Sequence, residues 1–256
     1  MKAVILAGGL GTRLSEETYL RPKPMVEIGD KPILWHIMKF YSHYGINDFI
    51  ICAGYKGEVI KNYFQNYSLH QSDITFNLKD NSYVIHQNLS EDWKVTVVNT
   101  GENTMTGGRL LRIKNHIDSD FCFTYGDGLT NVNIDKLIKF HKNNSAIATL
   151  TSVVTPERFG IIETDAKGKI TSFLEKSDNA PNRINGGYFV LSKKVFDYIK
   201  DDHTIWEKEP LKNLSNNSEL YAYNHDGFWH AMDKLSDKVY LENLWQKNSA
   251  PWKVWE

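Results

Sequence analysis

The stretch LAGGLGTRLSEETYLRPK, from Leu6 to Lys23, decides the fold that we expect for this chain. It follows Met1 to Ile5, a short apolar run that is typical of a buried strand. Gly8, Gly9 and Gly11 lack side chains, so the backbone can turn tightly there and direct successive N–H groups at an anion. The pattern predicts a phosphate-binding loop at the carboxyl end of a strand, although glycines after a strand can also form a plain turn.

Two cations accompany these glycines. Arg13 carries a planar, permanent charge that matches phosphate oxygens, and Lys23 adds a point charge between two prolines. The loop is not a Walker loop, because Gly11 is followed by Thr12-Arg13 and not by Gly-Lys-Ser/Thr. It also differs from a dinucleotide fingerprint, since Leu14 replaces the third glycine and no acidic residue ends the next strand. A nicotinamide oxidoreductase is therefore disfavoured.

The hydrophobic pattern after the loop alternates between helix and strand. A helix that opens at Pro32 and stops at Gly45 precedes a strand at Phe49 to Cys52, and a second helix follows. This order predicts an α/β fold with a Rossmann-like, mainly parallel (mixed) sheet flanked by helices, in which ligands bind beyond the carboxyl ends of the strands. With 256 residues, of which 41% are hydrophobic, we expect a single domain.

Three further segments have recognisable local patterns. Ile74 to Leu78 with Tyr83 to His86 predicts a hairpin beside the sheet, and a second hairpin is predicted between Gly160 and Phe173. A glycine-bearing turn at Asn103 to Gly108 precedes a predicted helix that begins at Arg109. The start of that helix could also face an anion.

A carboxylate between two glycines ends the apolar strand Phe121 to Tyr125. At the carboxyl end of a central strand, Asp127 is well placed to meet a metal that bridges phosphates, and Asp233 offers a second carboxylate. We predict that Asp127 and Asp233 hold Mg²⁺, which typically takes one or two carboxylates together with substrate oxygens. The alternative for Asp127 is an ordinary Asp-Gly turn.

Taken together, these segments resemble the sugar-nucleotide pyrophosphorylases, the nucleotidyltransferases that join a nucleoside triphosphate to a sugar 1-phosphate. The motifs fall in the family's order along the whole chain: GGLGTR at 8–13, RPKPM at 21–25, FTYGDG at 123–128, FG with Glu163 at 159–163, EK at 175–176, INGG at 184–187 and MD at 232–233. The resemblance implies a GT-A-like fold with a small β-hairpin sugar-binding subregion. Residues 1–155 would form the nucleotide-binding half, and residues 156–256 the sugar-binding and oligomerisation part.

The residues themselves place Gly8 to Thr12 and Arg13 on a triphosphate, Lys23 near the α-phosphate and the incoming phosphate, and Mg²⁺ on Asp127 and Asp233. With the resemblance, the expected ligand-binding residues are Leu6, Ala7, Gly8, Gly9, Leu10, Gly11, Thr12, Thr104, Gly107, Gly108, Arg109, Gly128, Gly160, Glu175, Lys176, Asn185 and Gly186.

Some of these residues have roles that only the resemblance implies. Arg109 would bind phosphate, Glu175 and Asn185 sugar hydroxyls, and Lys176 the phosphate of the sugar. By sequence alone, Arg109 equally fits a solvated helix arginine, and Glu175-Lys176 fits a solvated surface pair. The family normally has proline after this lysine, where this chain has Ser177.

Within the family, Asn103 to Arg109 and Ala250 to Lys253 resemble the members that act on CTP, with UTP as the alternative, and on glucose 1-phosphate. Their product feeds deoxysugar synthesis for surface polysaccharide such as O-antigen. A sugar 1-phosphate is already a charged nucleophile and needs no general base, so cations and a metal suffice for an in-line displacement. A non-catalytic nucleotide-binding module is the alternative of a different class.

Composition narrows the partners and the compartment. A net charge of −1 offers no basic excess for nucleic acid, and without an 18-residue apolar run or a leader we expect a cytoplasmic protein that does not bind membranes. Cys52 and Cys122 fit small buried hydrophobes. Five of the seven tryptophans follow residue 200, and we expect the tail at 249–256 to pack on another subunit of a homo-oligomer, a hexamer by resemblance.

Overall fold

The computed structural model describes residues 1–154, 161–164, 170–174 and 183–256. Its strands are β1 (Lys2–Ala7), β2 (Glu27–Ile28), β3 (Lys31–Pro32), β4 (Asp48–Ala53), β5 (Ser72–Asn77), β6 (Ser82–Asn88), β7 (Lys94–Asn99), β8 (Phe121–Tyr125), β9 (Gly128–Thr130), β10 (Ala148–Val154), β11 (Ile161–Thr164), β12 (Ile170–Leu174), β13 (Arg183–Leu191), β14 (Leu220–His225) and β15 (Trp229–Ala231). Its α-helices are α1 (Ser15–Thr18), α2 (Ile33–His43), α3 (Gly57–Gln65), α4 (Tyr67–His70), α5 (Thr106–Arg112), α6 (Ile134–Asn143), α7 (Glu209–Asn216) and α8 (Leu235–Gln246). None of the helices in these ranges is long and apolar enough to cross a bilayer.

A seven-stranded sheet with the order β14-β10-β13-β8-β1-β4-β7 forms the centre of the molecule. Strand β13 runs antiparallel to both of its neighbours, whereas the other adjacent pairs are parallel. The prediction of a mainly parallel, mixed sheet is therefore confirmed. Because β13 lies between β10 and β8, both predicted halves of the chain contribute strands to this sheet.

Apolar side chains cover both faces of the sheet, as the alternation in β1 illustrates. Ala3, Ile5 and Ala7 pack into the cluster on the side of α2 and α8, whereas Val4 and Leu6 join the cluster on the side of α5. Burying both faces of parallel strands requires nearly continuous apolar runs, which is why β1, β4 and β8 were recognisable in the sequence.

Both cysteines are free and buried, as predicted. Burial raises the pKa of the Cys52 and Cys122 thiols to about 12, so neither is a thiolate at neutral pH.

Helix α2 begins one residue later than predicted. Pro32 belongs to the short strand β3 and has an extended backbone (φ −58°, ψ 147°), so Ile33 is the first helical residue. Gly45 follows the helix with a left-handed φ of 73° and donates its N–H to the Ser42 carbonyl at 2.9 Å. Glycine adopts that conformation without the steric cost that a Cβ atom brings.

The predicted packing of the tail on another subunit is wrong for Trp252. This side chain is fully buried within its own chain, stacked on Trp245 with 6.3 Å between ring centroids and on Phe228 with 5.6 Å. Trp255 meets Trp35 of helix α2 edge-on at 5.9 Å. Trp252 is buried because helices α2 and α8 supply an apolar groove, and Trp255 is partly buried beside it.

Both predicted hairpins are present. Strands β5 and β6 form a separate antiparallel pair beside the central sheet, and β11 pairs with β12 through Ile161 and Leu174. Large apolar side chains on or next to the first hairpin are exposed: Phe76, Leu78, Tyr83, Val84, Ile85 and Leu89.

Candidate active site

A cavity of about 480 Å³ opens at the carboxyl end of β1. Five segments line it: Leu6 to Thr12 without Leu10, Lys23 with Pro24, Thr104 to Arg109 without the two glycines, Tyr125 to Asp127, and Glu207. The volume lies within the range of small-molecule sites in proteins. The structure therefore brings the glycine loop, Lys23 and Asp127 together as the sequence predicted.

The glycine loop owes its path to Gly11, whose φ of 66° is left-handed. The carbonyl of Gly11 accepts hydrogen bonds from the Leu14 N–H at 2.9 Å and the Thr18 hydroxyl at 3.0 Å. An added Cβ at Gly11 would lie 2.7 Å from a Thr18 methyl carbon, so both backbone conformation and space exclude a side chain. These bonds turn the chain from β1 into the short 3₁₀ turn Thr12–Leu14 at the edge of the cavity.

Lys23 makes the central contact of the site. Its Nζ donates to Asp127 Oδ2 and to Asp233 Oδ1, each at 2.7 Å, and its side chain is only 11% exposed. The lysine lies in the 3₁₀ turn Lys23–Met25, which follows Pro22 in extended conformation. One ammonium group thus connects three segments that are more than 100 residues apart in the sequence.

The antiparallel pair β9–β15 brings the two carboxylates together. Gly128 pairs with Ala231, and the Asp127 carbonyl accepts the Met232 N–H at 2.8 Å. Asp127, just before β9, and Asp233, just after β15, therefore lie at the same end of this pair of strands. The Asp237 carboxylate then accepts the Asp233 N–H at 2.9 Å at the start of α8. The sequence showed both acids but not this ladder, because β9 and β15 have only three residues each.

A second cavity of about 200 Å³ adjoins the first and shares Tyr125 and Asp127 with it. Gly128, Asn185, Gly186 and Asp233 line this second cavity, together with Gly187 and Trp229. Asn185, which was expected on the sugar, therefore lies in a space next to the one that the glycine loop lines. Asp127 lines both spaces, so the Lys23–Asp127–Asp233 contact lies where they meet.

Three of the expected ligand-binding residues lie elsewhere. Leu10 is 52% exposed and does not line either cavity. Gly107 and Gly108 lie inside helix α5, and both donate their N–H groups to the Thr204 carbonyl, at 2.9 and 3.2 Å. The predicted nucleotide contacts of these two glycines are therefore corrected: their missing side chains admit the backbone of residues 202–204.

The expected phosphate contact of Arg109 stays a prediction, and its side chain lines the cavity. Its guanidinium is directed at its own chain and donates to Thr100 Oγ1 at 2.8 Å, the Gly101 carbonyl at 2.6 Å and the Glu102 carbonyl at 3.0 Å. Burial lowers the pKa of Arg109 below its usual value, but an arginine keeps its proton at neutral pH. Arg109 therefore lines the cavity and also holds the loop after β7.

Glu207 is a charged cavity residue that the sequence did not reveal. Its carboxylate accepts the Tyr125 hydroxyl at 2.6 Å and the Thr106 hydroxyl at 2.7 Å. Burial and the Glu207 charge raise the pKa of Tyr125 well above its ordinary value, so the phenol stays a hydrogen-bond donor. No local signal marks Glu207, because it lies in an irregular segment before α7 and reaches the cavity only through tertiary packing.

Part of the expected site lies outside the described residues. This applies to Gly160, Glu175 and Lys176, and also to the side chain of Arg13, whose backbone belongs to the turn Thr12–Leu14. Their expected contacts with phosphate and sugar remain predictions.

Asp127 and Asp233 fit a divalent cation whose coordination is completed by substrate oxygens. One oxygen of each carboxylate lies 2.7 Å from the same cationic atom, Lys23 Nζ, so the two acids face a common point. Within the described ranges, no group of three or more His, Cys, Asp or Glu side chains could hold a metal. Mg²⁺ binds in this way, through one or two carboxylates plus substrate phosphates.

Comparison with known proteins places the chain in a family. A sequence profile described as nucleotidyl transferase matches residues 2–237. The chain belongs to the nucleotidyl transferase family. Among nucleotidyl transferases, it is 57% identical to the glucose-1-phosphate cytidylyltransferase of Salmonella typhi, with 100% of both chains covered. It is 47% identical to the probable glucose-1-phosphate cytidylyltransferase of Bacillus subtilis (strain 168), again with 100% of both chains covered.

The fold of this nucleotidyl transferase also matches solved structures. The crystal structure of HddC from Yersinia pseudotuberculosis in complex with GMP-PN superposes with a TM-score of 0.67 at 23% identity, covering 95% of this chain and 99% of that one. The similarity shows the GT-A-like nucleotidyltransferase fold, as predicted. The family membership also makes the chain an enzyme, which decides against a non-catalytic binding module.

Proposed function

We propose that the chain transfers a cytidylyl group from CTP to α-D-glucose 1-phosphate, giving CDP-glucose and pyrophosphate. The observation that carries the proposal is the position of Lys23 and the two carboxylates, where the larger cavity meets the smaller one. The names of the 57% and 47% identical relatives, glucose-1-phosphate cytidylyltransferases, indicate CTP and glucose 1-phosphate as substrates.

The two cavities suit the two substrates. The larger one, with the backbone of Gly8 to Thr12 along its edge, accommodates the nucleotide, and the smaller one, with Asn185 and Gly186, accommodates the sugar. The α-phosphorus then lies near Lys23, next to the incoming sugar phosphate. Holding two polyanions in line in this way supplies much of the rate, because it replaces an encounter in solution.

The reaction is a direct displacement at the α-phosphorus. A phosphate oxygen of glucose 1-phosphate forms the new P–O bond, while the bond between the α-phosphorus and the bridging oxygen breaks and its electron pair leaves with pyrophosphate. No proton has to be removed, because the sugar phosphate carries most of two negative charges at pH 7, with a second pKa of about 6. The chain therefore needs cations more than a general base.

Lys23 is the catalytic cation of this scheme. It offsets the charge that builds on the α-phosphate and on the leaving pyrophosphate, and Arg13 is proposed to hold the β- and γ-phosphates. We further propose Mg²⁺ as the cofactor, held by Asp127 and Asp233. When bound, it would polarise the phosphate oxygens and neutralise pyrophosphate.

A panel of nucleoside triphosphates with sugar 1-phosphates, scored by pyrophosphate release, tests the proposal. We expect the highest kcat/KM with CTP and glucose 1-phosphate, UTP as the next nucleotide, and loss of turnover with EDTA. Lys23→Ala should lower kcat by roughly 10²- to 10³-fold, as removal of one charge-stabilising donor does elsewhere. Lys56→Ala, outside the cavity, is the matched control. A chain that releases no pyrophosphate from any pair would refute the activity.

We also propose that the enzyme is a homo-oligomer, with a hexamer as the expected state. The exposed apolar side chains of the β5–β6 hairpin support association with a second copy, since patches of this kind mark contact surfaces and a two-stranded hairpin is marginally stable alone. Sedimentation of the wild type and of a Tyr83→Ser/Ile85→Ser variant tests this. A monomeric wild type would contradict it.

A further inference from the structure

Lys23 occupies the place in which the metal was expected. Its Nζ is equidistant, at 2.7 Å, from Asp127 Oδ2 and Asp233 Oδ1, and these are the two carboxylates proposed to hold Mg²⁺. The ammonium is largely shielded from solvent, at 11% exposure of the side chain, and each carboxylate is 28% exposed. Without ligands, the protein therefore pairs both of these acids with one of its own cations.

A divalent ion and the ammonium cannot share this position. Mg²⁺ binds oxygen at about 2.0–2.1 Å, so an ion between the same two oxygens would lie where Nζ is now. Two cations that close together repel each other strongly in a partly buried site. Binding of the ion between Asp127 Oδ2 and Asp233 Oδ1 therefore requires the Lys23 side chain to turn away.

The surroundings of Lys23 provide a second position for its ammonium. The residue lines the larger cavity together with Gly8, Gly9 and Thr12, so a side-chain rotation directs Nζ at the space proposed for the phosphates. The backbone does not need to move, because Lys23 lies in a short 3₁₀ turn between Pro22 and Pro24. In the absence of phosphate, the same rotation would leave a poorly paired ammonium.

We propose that Lys23 and the divalent cation exchange places. In the ligand-free enzyme the lysine pairs with Asp127 and Asp233, and it moves to the phosphates when nucleotide and metal bind. The exchange rests on the proposed function, since it requires a nucleotide in the larger cavity. It makes the binding of the two ligands cooperative. Nucleotide draws Lys23 away from the carboxylates and so favours metal binding. The metal displaces Lys23 toward the phosphates and so favours nucleotide binding, and the coupling free energy is the same in both directions.

Mn²⁺ binding, followed by electron paramagnetic resonance, tests the exchange without measuring activity. Mn²⁺ accepts the same carboxylate and phosphate oxygens as Mg²⁺. Wild type should bind Mn²⁺ weakly by itself and about tenfold or more tightly in the presence of a non-hydrolysable CTP analogue, within the usual range of coupling. Lys23→Met should bind Mn²⁺ alone about tenfold more tightly than wild type, with a smaller gain from the analogue.

Three variants make the test decisive. Lys56→Met removes the same charge outside the cavity and should bind Mn²⁺ like wild type. Asp127→Asn in the Lys23→Met background should abolish the gain in Mn²⁺ affinity, which locates the ion. Lys23→Gln replaces Lys23→Met if the latter does not fold, as judged by circular dichroism.

Equal Mn²⁺ affinity of wild type and the folded Lys23 variant, measured without nucleotide, would overturn the exchange while leaving the proposed reaction intact. Failure of Mn²⁺ to bind wild type even with the analogue would refute the metal site and therefore the exchange, whereas the transfer reaction itself is tested separately by pyrophosphate release. The exchange would also be overturned if the CTP analogue raised the Mn²⁺ affinity of the Lys23 variant as much as that of wild type.

Discussion

Two glycine-bearing segments, Gly8 to Gly11 and Gly107 with Gly108, were both expected to face a nucleotide, but the structure uses them differently. The first lines the larger cavity, whereas the second lies inside helix α5 against the backbone of residues 202–204. A glycine creates space next to the backbone, and that space can receive a ligand or another part of the chain. The sequence shows that the space exists but not what fills it.

The two segments also meet. An added Cβ on Gly8 would lie 2.1 Å from Arg109 Nη1, so the guanidinium from α5 fills the space beside Gly8. Beside Gly9, in contrast, no atom of the described residues other than its chain neighbours lies within 4 Å of such a Cβ. Three glycines therefore differ in their neighbour: backbone at Gly108, a buried side chain at Gly8 and open cavity at Gly9. Substitution by alanine separates the three cases.

Gly108→Ala should have the largest effect. Its Cβ would lie 2.4 Å from the Asp202 carbonyl oxygen and 2.5 Å from the Asp202 Cα, which are backbone atoms that cannot rotate away. Replacing a helical glycine by alanine gains about 1 kcal/mol in propensity, and we expect the clash to outweigh this gain. The net loss in the free energy of unfolding should be about 2–3 kcal/mol, in the range of overpacked sites. Urea-induced unfolding measures it. A variant more stable than wild type would contradict this packing.

Gly8→Ala should destabilise less, by about 1–2 kcal/mol, because its Cβ meets the end of a side chain and not backbone. The Arg109 guanidinium would have to leave its bonds to Thr100 and Gly101. A double-mutant cycle with Arg109→Met sharpens the prediction, since residues in contact show coupling of about 0.5–3 kcal/mol. Additive losses in urea unfolding would show that the two residues do not touch.

Gly9→Ala should leave stability within about 0.5 kcal/mol of wild type, as expected for a site without neighbours. Its methyl group would occupy part of the space proposed for phosphate. We expect CTP to bind about tenfold more weakly, a cost of about 1.4 kcal/mol, in isothermal titration calorimetry. Unchanged affinity for CTP would move the phosphates away from this part of the loop.

Asp202→Asn should have the smallest effect on stability. It changes the Asp202 side chain but leaves the backbone contact with Gly108 unchanged. Asp202 accepts the Arg112 Nε–H at 2.9 Å on the surface, and this hydrogen bond lowers the pKa of the Asp202 carboxyl. The pair therefore stabilises the protein above the unfolded-state pKa of about 3.9, and this stabilisation disappears as the pH falls through the lowered value. Urea midpoints of wild type and variant should differ slightly at pH 7 and converge toward pH 3. A difference that grows in acid would contradict the assignment.

Local patterns were sufficient for the central sheet and for the loop that starts the site. Runs such as Phe121 to Tyr125 are apolar on both faces. The glycines after β1 indicated a tight turn, which Gly11 makes with a left-handed backbone. Contacts between distant segments could not be predicted in the same way. Glu207 reaches the cavity only because residues 202–204 pack on α5, and the Lys23 ammonium meets two acids through the short pair β9–β15. Trp252 looked like an interface residue because its intramolecular groove is made by α2 and α8.

The position of His36 has a consequence for the order of folding during synthesis. This side chain is fully buried in helix α2 with the rings of Trp245 and Trp252 next to it, at 4.7 and 6.1 Å. Those tryptophans are translated more than 200 residues after it, and domains fold as units as the chain emerges from the ribosome. One face of helix α2 therefore stays exposed to water, and accessible to chaperones, until the residues up to Trp252 have been synthesised.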